Sequence, residues 1–517
     1  MRNSTRLFSV LLALLAGCAT APEFEQRPGS VAFSDPGSTS LGKRLAPVAS
    51  EHPGLSGFRL LDAPQADMQA RVTLAALAER SIDAQYFIWQ DDAAGTLLAG
   101  ALVAAADRGV RVRILVDDFY LGGRDARLAA FDRHPNLEIR VFNPVVARRT
   151  ALTRGLGLAV RFRRLNHRMH NKQFLVDGSF GVVGGRNVAD EYFGLHREFN
   201  LRDRDVLAAG PVVAELGASF DEYWNGSWAI PFEALTPARP KPKDVDRVLS
   251  SVRSSVAADD LAYPIRSSAA DLEEVLETSL AELVWARSEV HWDRPEAPPE
   301  GPDASGFTRV RDVLLSFMAE ARQELLLETP YLAWREPTLE ALGEATRAGV
   351  EVRIVTNSLA STDMVPAQAV YADQRSELLA GGARIFELRP DAAIAPRYSP
   401  PDREPDAVLG LHAKSIVRDR QAVYVGSYNL DPRSAELNSE IALIVHSPEL
   451  AGQIADTIER DTRPENSWEV VLDESGEPTW LEPQKGEVLH HRKPPRTSWT
   501  RRFEAGLISI LPIDSQI

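Results

Sequence analysis

Among 517 residues there is one cysteine, Cys18. No intrachain disulfide is therefore possible, and the fold must rest on its apolar core. Basic charge is also short: 58 Lys and Arg face 73 Asp and Glu, for a net charge of −15. That disfavours a general nucleic-acid coat, which needs clustered cations to neutralise phosphates. A local basic cleft on an acidic body remains compatible with it. No cluster of Zn or Mg ligands stands out. The apolar run that opens the chain, Leu7–Ala16 with Ser9 the exception, would rise about 15 Å as a helix. A hydrocarbon core is roughly 30 Å thick, so the run is too short to span it.

What is present is ordinary for a folded protein: 44% hydrophobic and 25% charged residues. The length suits two core-forming units. Arg2 and Arg6 before the apolar run give residues 1–17 the look of an export signal. Leu15-Ala16-Gly17-Cys18 resembles a bacterial lipobox, which implies lipidation of Cys18. Ala19 rather than Asp follows it, as in lipoproteins sent to an outer membrane. Residues 18–50, rich in Pro, Gly and Ser after the cysteine, are expected to be a flexible tether. Pro-rich stretches at 229–243, 294–306 and 390–406 read as connectors.

The chain repeats itself. AADRGVRVRILVDD (105–118) and ATRAGVEVRIVTNS (345–358) each read as a helix end, a glycine C-cap and a buried strand. Strand-like segments precede both, at 81–90 and 324–334. Strand, helix, strand in both halves predicts two α/β units with mixed, mainly parallel sheets flanked by helices.

At similar distances downstream, each half carries a His-x-Lys segment. His170-Asn171-Lys172 leads to Asp177 and then Gly184-Gly185-Arg186-Asn187. His412-Ala413-Lys414 leads to Asp419 and then Gly426-Ser427-Tyr428-Asn429. Both fit H-x-K-x4-D-x6-G-[GS]-x-N without insertion. In a strand, i and i+2 share a face, so each His and Lys would project together. A hairpin, with Asp177-Gly178 as a favoured turn pair, would return each Asn to the His-Lys end. Two imidazoles, two ammoniums and two carboxamides suit a phosphodiester. One neutral His can attack phosphorus, and a protonated one can supply the leaving oxygen with a proton. Lys172, Lys414, Asn187 and Asn429 can hold the non-bridging oxygens. Asp177 and Asp419 are open to two readings, catalysis or turn chemistry.

This duplicated pattern resembles the HKD motif of the phospholipase D superfamily, over about residues 50–465. The resemblance implies two α/β halves with pseudo-twofold symmetry and one shared site, working without a cofactor or metal. It implies His170, Lys172, Asp177, His412, Lys414 and Asp419 as the catalytic set. Gly185, Asn187, Ser427 and Asn429 would contact substrate. An acidic residue beyond each motif would orient a histidine; the candidates are Asp203, in competition with Asp205, and Glu440. The family assigns the nucleophile to the N-terminal-half histidine, His170, with His412 as general acid, although the motifs alone are symmetric.

Asp190-Glu191-Tyr192-Phe193-Gly194, Arg168-Met169-His170-Asn171-Lys172 and the terminal Leu511–Ile517 resemble C-type bacterial cardiolipin synthases. The implied function is a phosphatidyltransferase acting on membrane lipids, phosphatidylglycerol and also phosphatidylethanolamine, through a phosphohistidine. The alternatives are a phospholipase D hydrolase making phosphatidic acid, an envelope nuclease, and a non-catalytic lipid-binding lipoprotein. No nucleic-acid partner is expected, and the implied location is the cell envelope, anchored in the outer membrane and facing the periplasm. A basic run, Arg148, Arg149, Arg154, Arg161, Arg163, Arg164 and Arg168, reads either as a path for anionic head groups or as solvated surface. Trp89, Tyr331 and Trp334 read as an acyl groove or as core. The expected divisions are signal 1–17, lipidated cysteine and tether 18–50, first unit 51–230, connector 231–305, second unit 306–465, and an extension 466–517. In that extension, apolar positions from Trp499 to Ile510 predict an amphipathic helix, lying on a membrane or packed on the body.

Overall fold

The computed structural model describes residues 29–122, 124–145, 165–236, 240–255, 264–296, 309–333, 336–484 and 486–508. The signal segment, Cys18, Arg148 to Arg164, Trp334 and Leu511–Ile517 lie outside these residues.

The first unit contains β1 (Ser56–Leu61), β2 (Ser81–Tyr86), β3 (Arg111–Asp117), β4 (Leu137–Phe142), β5 (Gln173–Val176), β6 (Phe180–Gly184), β7 (Phe199–Arg202), β8 (Asp205–Ala209) and β9 (Ala229–Pro231). Its sheet runs β9-β4-β3-β2-β5-β6-β8-β1. The second unit contains β10 (Val284–Trp292), β11 (Glu324–Glu328), β12 (Glu351–Asn357), β13 (Arg384–Leu388), β14 (Val408–Leu411), β15 (Ser415–Arg418), β16 (Ala422–Gly426), β17 (Ile441–His446), β18 (Ser467–Leu472), β19 (Pro478–Gln484) and β20 (Glu487–His491). Its sheet runs β10-β17-β16-β15-β11-β12-β13-β18-β19-β20. The central orders β4-β3-β2-β5-β6-β8 and β13-β12-β11-β15-β16-β17 are equivalent, as the internal repeat predicts.

In each unit the βαβ strands pair in parallel. The helix Ala93–Asp107 follows β2, and its end is sealed by Gly109 at φ 96°. Gly349 at φ 88° does the same for the helix Glu336–Arg347. A side chain at these left-handed positions would be strained, which is why glycine recurs there. The remaining core pairings are antiparallel, because the His-x-Lys hairpins fold back beside β2 and β11. The expectation of mainly parallel sheets is corrected to this extent: within each unit's own sheet, parallel pairing is confined to three strands.

Three further differences concern the divisions. Residues 40–50 are not tether. They form the helix Ser40–Ser50, N-capped by Thr39, and bury Leu41 and Leu45 in the first unit's core. The span 231–305 is not a simple connector, because β10 joins the two sheets edge to edge: its start pairs with β1 and its remainder with β17. The extension begins within the second sheet, where β18 pairs with β13. One apolar core runs between the units, with Val183 and Val206 of the first packed among Val417, Val423 and Leu443 of the second. Burial on this scale, at about 25 cal/mol per Å² of apolar surface, explains why the halves meet face to face.

Candidate active site

Two short backbone pairings between the halves build the site. β7 pairs in parallel with β14, with Arg202 opposite Leu411. The next residues, Asp203 and His412, are therefore neighbours. The His412 amide donates to the Arg202 carbonyl at 2.7 Å. In the other half Met169 bridges Ser439, and the His170 amide donates to the Ser439 carbonyl at 2.8 Å. That sets His170 beside Glu440. Each His-x-Lys segment thus lies just before its hairpin strand, not inside it, tied to the opposite repeat.

The side chains follow. His170 Nδ1 lies 2.9 Å from Glu440 Oε2, and His412 Nδ1 lies 2.5 Å from Asp203 Oδ2. A carboxylate accepting from Nδ1–H leaves Nε2 of each ring available for chemistry. The competition between Asp203 and Asp205 resolves by geometry. Asp205 is held by the Arg71 guanidinium and the Arg186 amide, away from His412. Gly185 and Ser427 support the acids. A Cβ on Gly185 would stand 2.3 Å from Asp203 Oδ1, and Ser427 Oγ donates to Glu440.

Lys172 Nζ donates to the His170 carbonyl and Lys414 Nζ to that of His412. All four side chains are buried. Burial drives the Lys172 ammonium down to about 7 and that of Lys414 to about 8, against the pull of Glu440 on the first and Asp203 on the second. The Lys414 charge also lowers Lys172, so the two motifs occupy one electrostatic site. Burial, then the lysines, holds His170 well below the usual imidazole range, and burial with Lys414 lowers His412 to about 4. Both rings are neutral at pH 7. Burial raises Glu440 to about 7. Burial would also raise Asp203, but His412, Lys414 and Arg186 hold it below the usual carboxylate range.

The motif aspartates are elsewhere. Asp177, at φ 51°, accepts the amides of Glu79, Arg80 and Ser81 at 2.8 Å each. Asp419, at φ 52°, accepts those of Arg322, Gln323 and Glu324. Each sits beyond the far end of its four-residue hairpin strand, which alone spans roughly 13 Å at 3.3 Å per residue. The catalytic reading of Asp177 and Asp419 is corrected: they anchor turns and strand starts. Asn187 bridges the Ile88 amide and the Tyr192 hydroxyl, while Asn429 keeps a buried Oδ1 with no partner among the described residues. Arg168 is buried and paired with Asp117, so it packs the wall and does not line a path.

Several residues around the histidines carry no motif signal. Phe87 stands edge-on to His170 at 5.1 Å and Tyr192 to His412 at 5.0 Å. Tyr192 lies in the DEYFG segment, which pointed to it only through resemblance. Tyr331 donates to Asp363, whose charge acts on His412 and Lys414. The Arg433 charge acts on His170. Trp89 lines an apolar pocket with Val103, Leu121 and Phe131. Among the described residues, no three His, Cys, Asp or Glu side chains gather to hold a metal.

Two pseudo-symmetric α/β units that pool their His and Lys pairs in one site define a phospholipase D-type enzyme. A family model described as "Cardiolipin synthase, PLD-like domain" matches residues 72–224 and 314–462. The chain is 35% identical over 474 residues to cardiolipin synthase C of Escherichia coli K12, covering 92% of this chain and 99% of that one. It is 26% identical over 388 residues to the major cardiolipin synthase of Bacillus subtilis, covering 74% and 64%. It superposes on the crystal structure of phosphatidylserine synthase from Haemophilus influenzae with a TM-score of 0.55 at 14% identity, covering 92% and 100%. The chain belongs to the cardiolipin synthase family of phosphodiester transferases.

Proposed function

We propose that the chain transfers a phosphatidyl group from phosphatidylglycerol to the hydroxyl of a second lipid, through a phosphohistidine on His170. The observation that carries this is the crossed pair of His–carboxylate contacts, which engages Nδ1 and not Nε2 of each ring in one buried site. Neutral His170 attacks phosphorus, forming P–N as the P–O bond to glycerol breaks. His412 gives its Nε2 proton to the leaving oxygen. The phosphodiester's own negative charge favours the protonated imidazole that this step needs. The neutral His412 then takes the proton of the acceptor hydroxyl, whose oxygen attacks phosphorus and releases His170. Lys172 and Lys414 hold the non-bridging oxygens throughout.

The substrates are phospholipids. The burial of all four His and Lys side chains supports a lipid hydroxyl over water as acceptor. No helix among the described residues is long and apolar enough to cross a membrane. Attachment through a lipidated Cys18, in the outer membrane and facing the periplasm, is part of the same proposal.

Purified protein incubated with phosphatidylglycerol should yield cardiolipin and glycerol. Phosphatidic acid as the product would make it a hydrolase. His412→Asn should accumulate an acid-labile phosphoryl group on residue 170, and a trap on residue 412 in the His170→Asn protein instead would reverse the roles.

A further inference from the structure

Large apolar side chains lie exposed in two places that flank the candidate site. On the first unit Phe119 is 50% and Tyr120 40% exposed. Phe119 stacks on Phe87 at 6.1 Å, and Phe87 abuts His170, so this patch is the outer end of an aromatic path from the nucleophile. On the second unit the helix Trp499–Ile508 leaves Trp499 71%, Phe503 65% and Leu507 55% exposed. These residues sit at i, i+4 and i+8, one stripe of a helix.

That helix is fixed to the site's other wall. The Arg501 guanidinium donates to the Leu359 carbonyl at 2.6 Å and also to that of Thr362. Thr362 precedes Asp363, the carboxylate that holds Tyr331 and acts on His412. The charge of Asp363 also acts on Tyr120, so the two walls approach each other at the mouth. Charge points the same way. In a chain of net charge −15, residues 492–508 hold Arg492, Lys493, Arg496, Arg501 and Arg502 against one carboxylate, Glu504, with Arg496 also paired to Asp391.

We propose that Phe119, Tyr120 and the Trp499/Phe503/Leu507 stripe form a bilayer-docking rim that seats the mouth of the site on an anionic lipid surface. An apolar stripe beside a basic segment is the composition of an interfacial helix. Placed at the mouth, it lets a head group reach His170 while its acyl chains stay in the bilayer. The inference rests on the phosphatidyltransferase reading for the lipid partner but is tested apart from it.

In the full chain, Cys18→Ser removes both the lipid attachment and the only thiol, so Phe503→Cys can carry an environment-sensitive fluorophore. With vesicles of equal phosphatidylethanolamine and phosphatidylglycerol, the probe's emission should shift to the blue, and much less with phosphatidylcholine alone. Trp499→Ser/Phe503→Ser/Leu507→Ser should lower turnover of vesicle lipid about tenfold or more while leaving turnover of monomeric short-chain phosphatidylglycerol unchanged. An unshifted probe, or equal loss on both substrates, overturns the rim. So does a probe already buried without vesicles, by residues 509–517, or one buried only as protein concentration rises, by a second copy. Absence of short-chain turnover in the unsubstituted protein, with the probe still shifting, would instead remove the functional reading and leave the docking surface standing.

Discussion

Replacing Lys172 by Met should make the protein more stable and inactive. The ammonium is buried, and burial lowers it from 10.5 to about 7. At about 1.4 kcal/mol per pH unit, keeping that charge in the folded state costs on the order of 5 kcal/mol. Met fills similar volume without the charge, but Glu440 then loses a cation that helps hold it ionised. Allowing about half for that loss leaves a net gain of about 2–3 kcal/mol, a rise in thermal midpoint of roughly 5–10 °C for a unit of this size. The pH dependence carries the sign. Between the folded value near 7 and the unfolded value of 10.5, the unfolded chain binds more protons, so wild-type stability from this group rises with pH. Urea unfolding should therefore show the Met variant ahead at pH 7, with the gap closing by pH 10. Turnover should fall about 10²-fold or more, because in the proposed mechanism the ammonium holds the non-bridging oxygens. A variant less stable than wild type at pH 7, a gap that widens with pH, or retained turnover would refute the assignment.

Asp177→Ala should remove the acceptor of three amides and cost about 1–3 kcal/mol in denaturant unfolding, with turnover near wild type below the melting range; a selective loss of turnover would restore a catalytic role to Asp177. Gly185→Ala should push Asp203 off its place, since the added Cβ falls 2.3 Å from Oδ1. Turnover should drop at least about tenfold, and nuclear magnetic resonance should show an altered His412 Nδ1 proton. On the alkaline side, turnover should decline as pH passes about 7 and then about 8, because Lys172 and Lys414 lose the protons that the proposed mechanism sets on the phosphoryl oxygens; a pH–rate profile flat to pH 9.5 would contradict this. Glu440→Gln should lower kcat about 10²–10⁴-fold with little change in KM, since a carboxamide in place of the carboxylate no longer selects the Nδ1–H tautomer of His170.

The histidines, the lysines and the repeated α/β units were legible because their signals are local: fixed spacing, strand periodicity and a glycine after each helix. What was not legible depends on packing between distant segments. Asp203 and Asp205 are equally acidic and two residues apart. Only the β7–β14 pairing turns one toward His412, while Arg71 takes the other. Asp177 and Asp419 share the motif with the histidines, yet a strand's length separates them from the chemistry. The helix Ser40–Ser50 was hidden by the Pro, Gly and Ser around it, although Leu41 and Leu45 stand at the i, i+4 spacing of a buried helical face. Asp363 and Arg433 reach the site from loops and helix starts with no periodic or motif signal.

The crossed carboxylates also bear on how such a chain arises. Each imidazole is aligned by an acid from the opposite repeat, so one repeat alone holds neither a complete acid nor a complete nucleophile. A single-copy ancestor would have needed to self-associate about a twofold axis, each subunit lending its carboxylate to its twin. Duplication of such a gene would tie the two copies together and leave the Asp in one and the Glu in the other free to diverge.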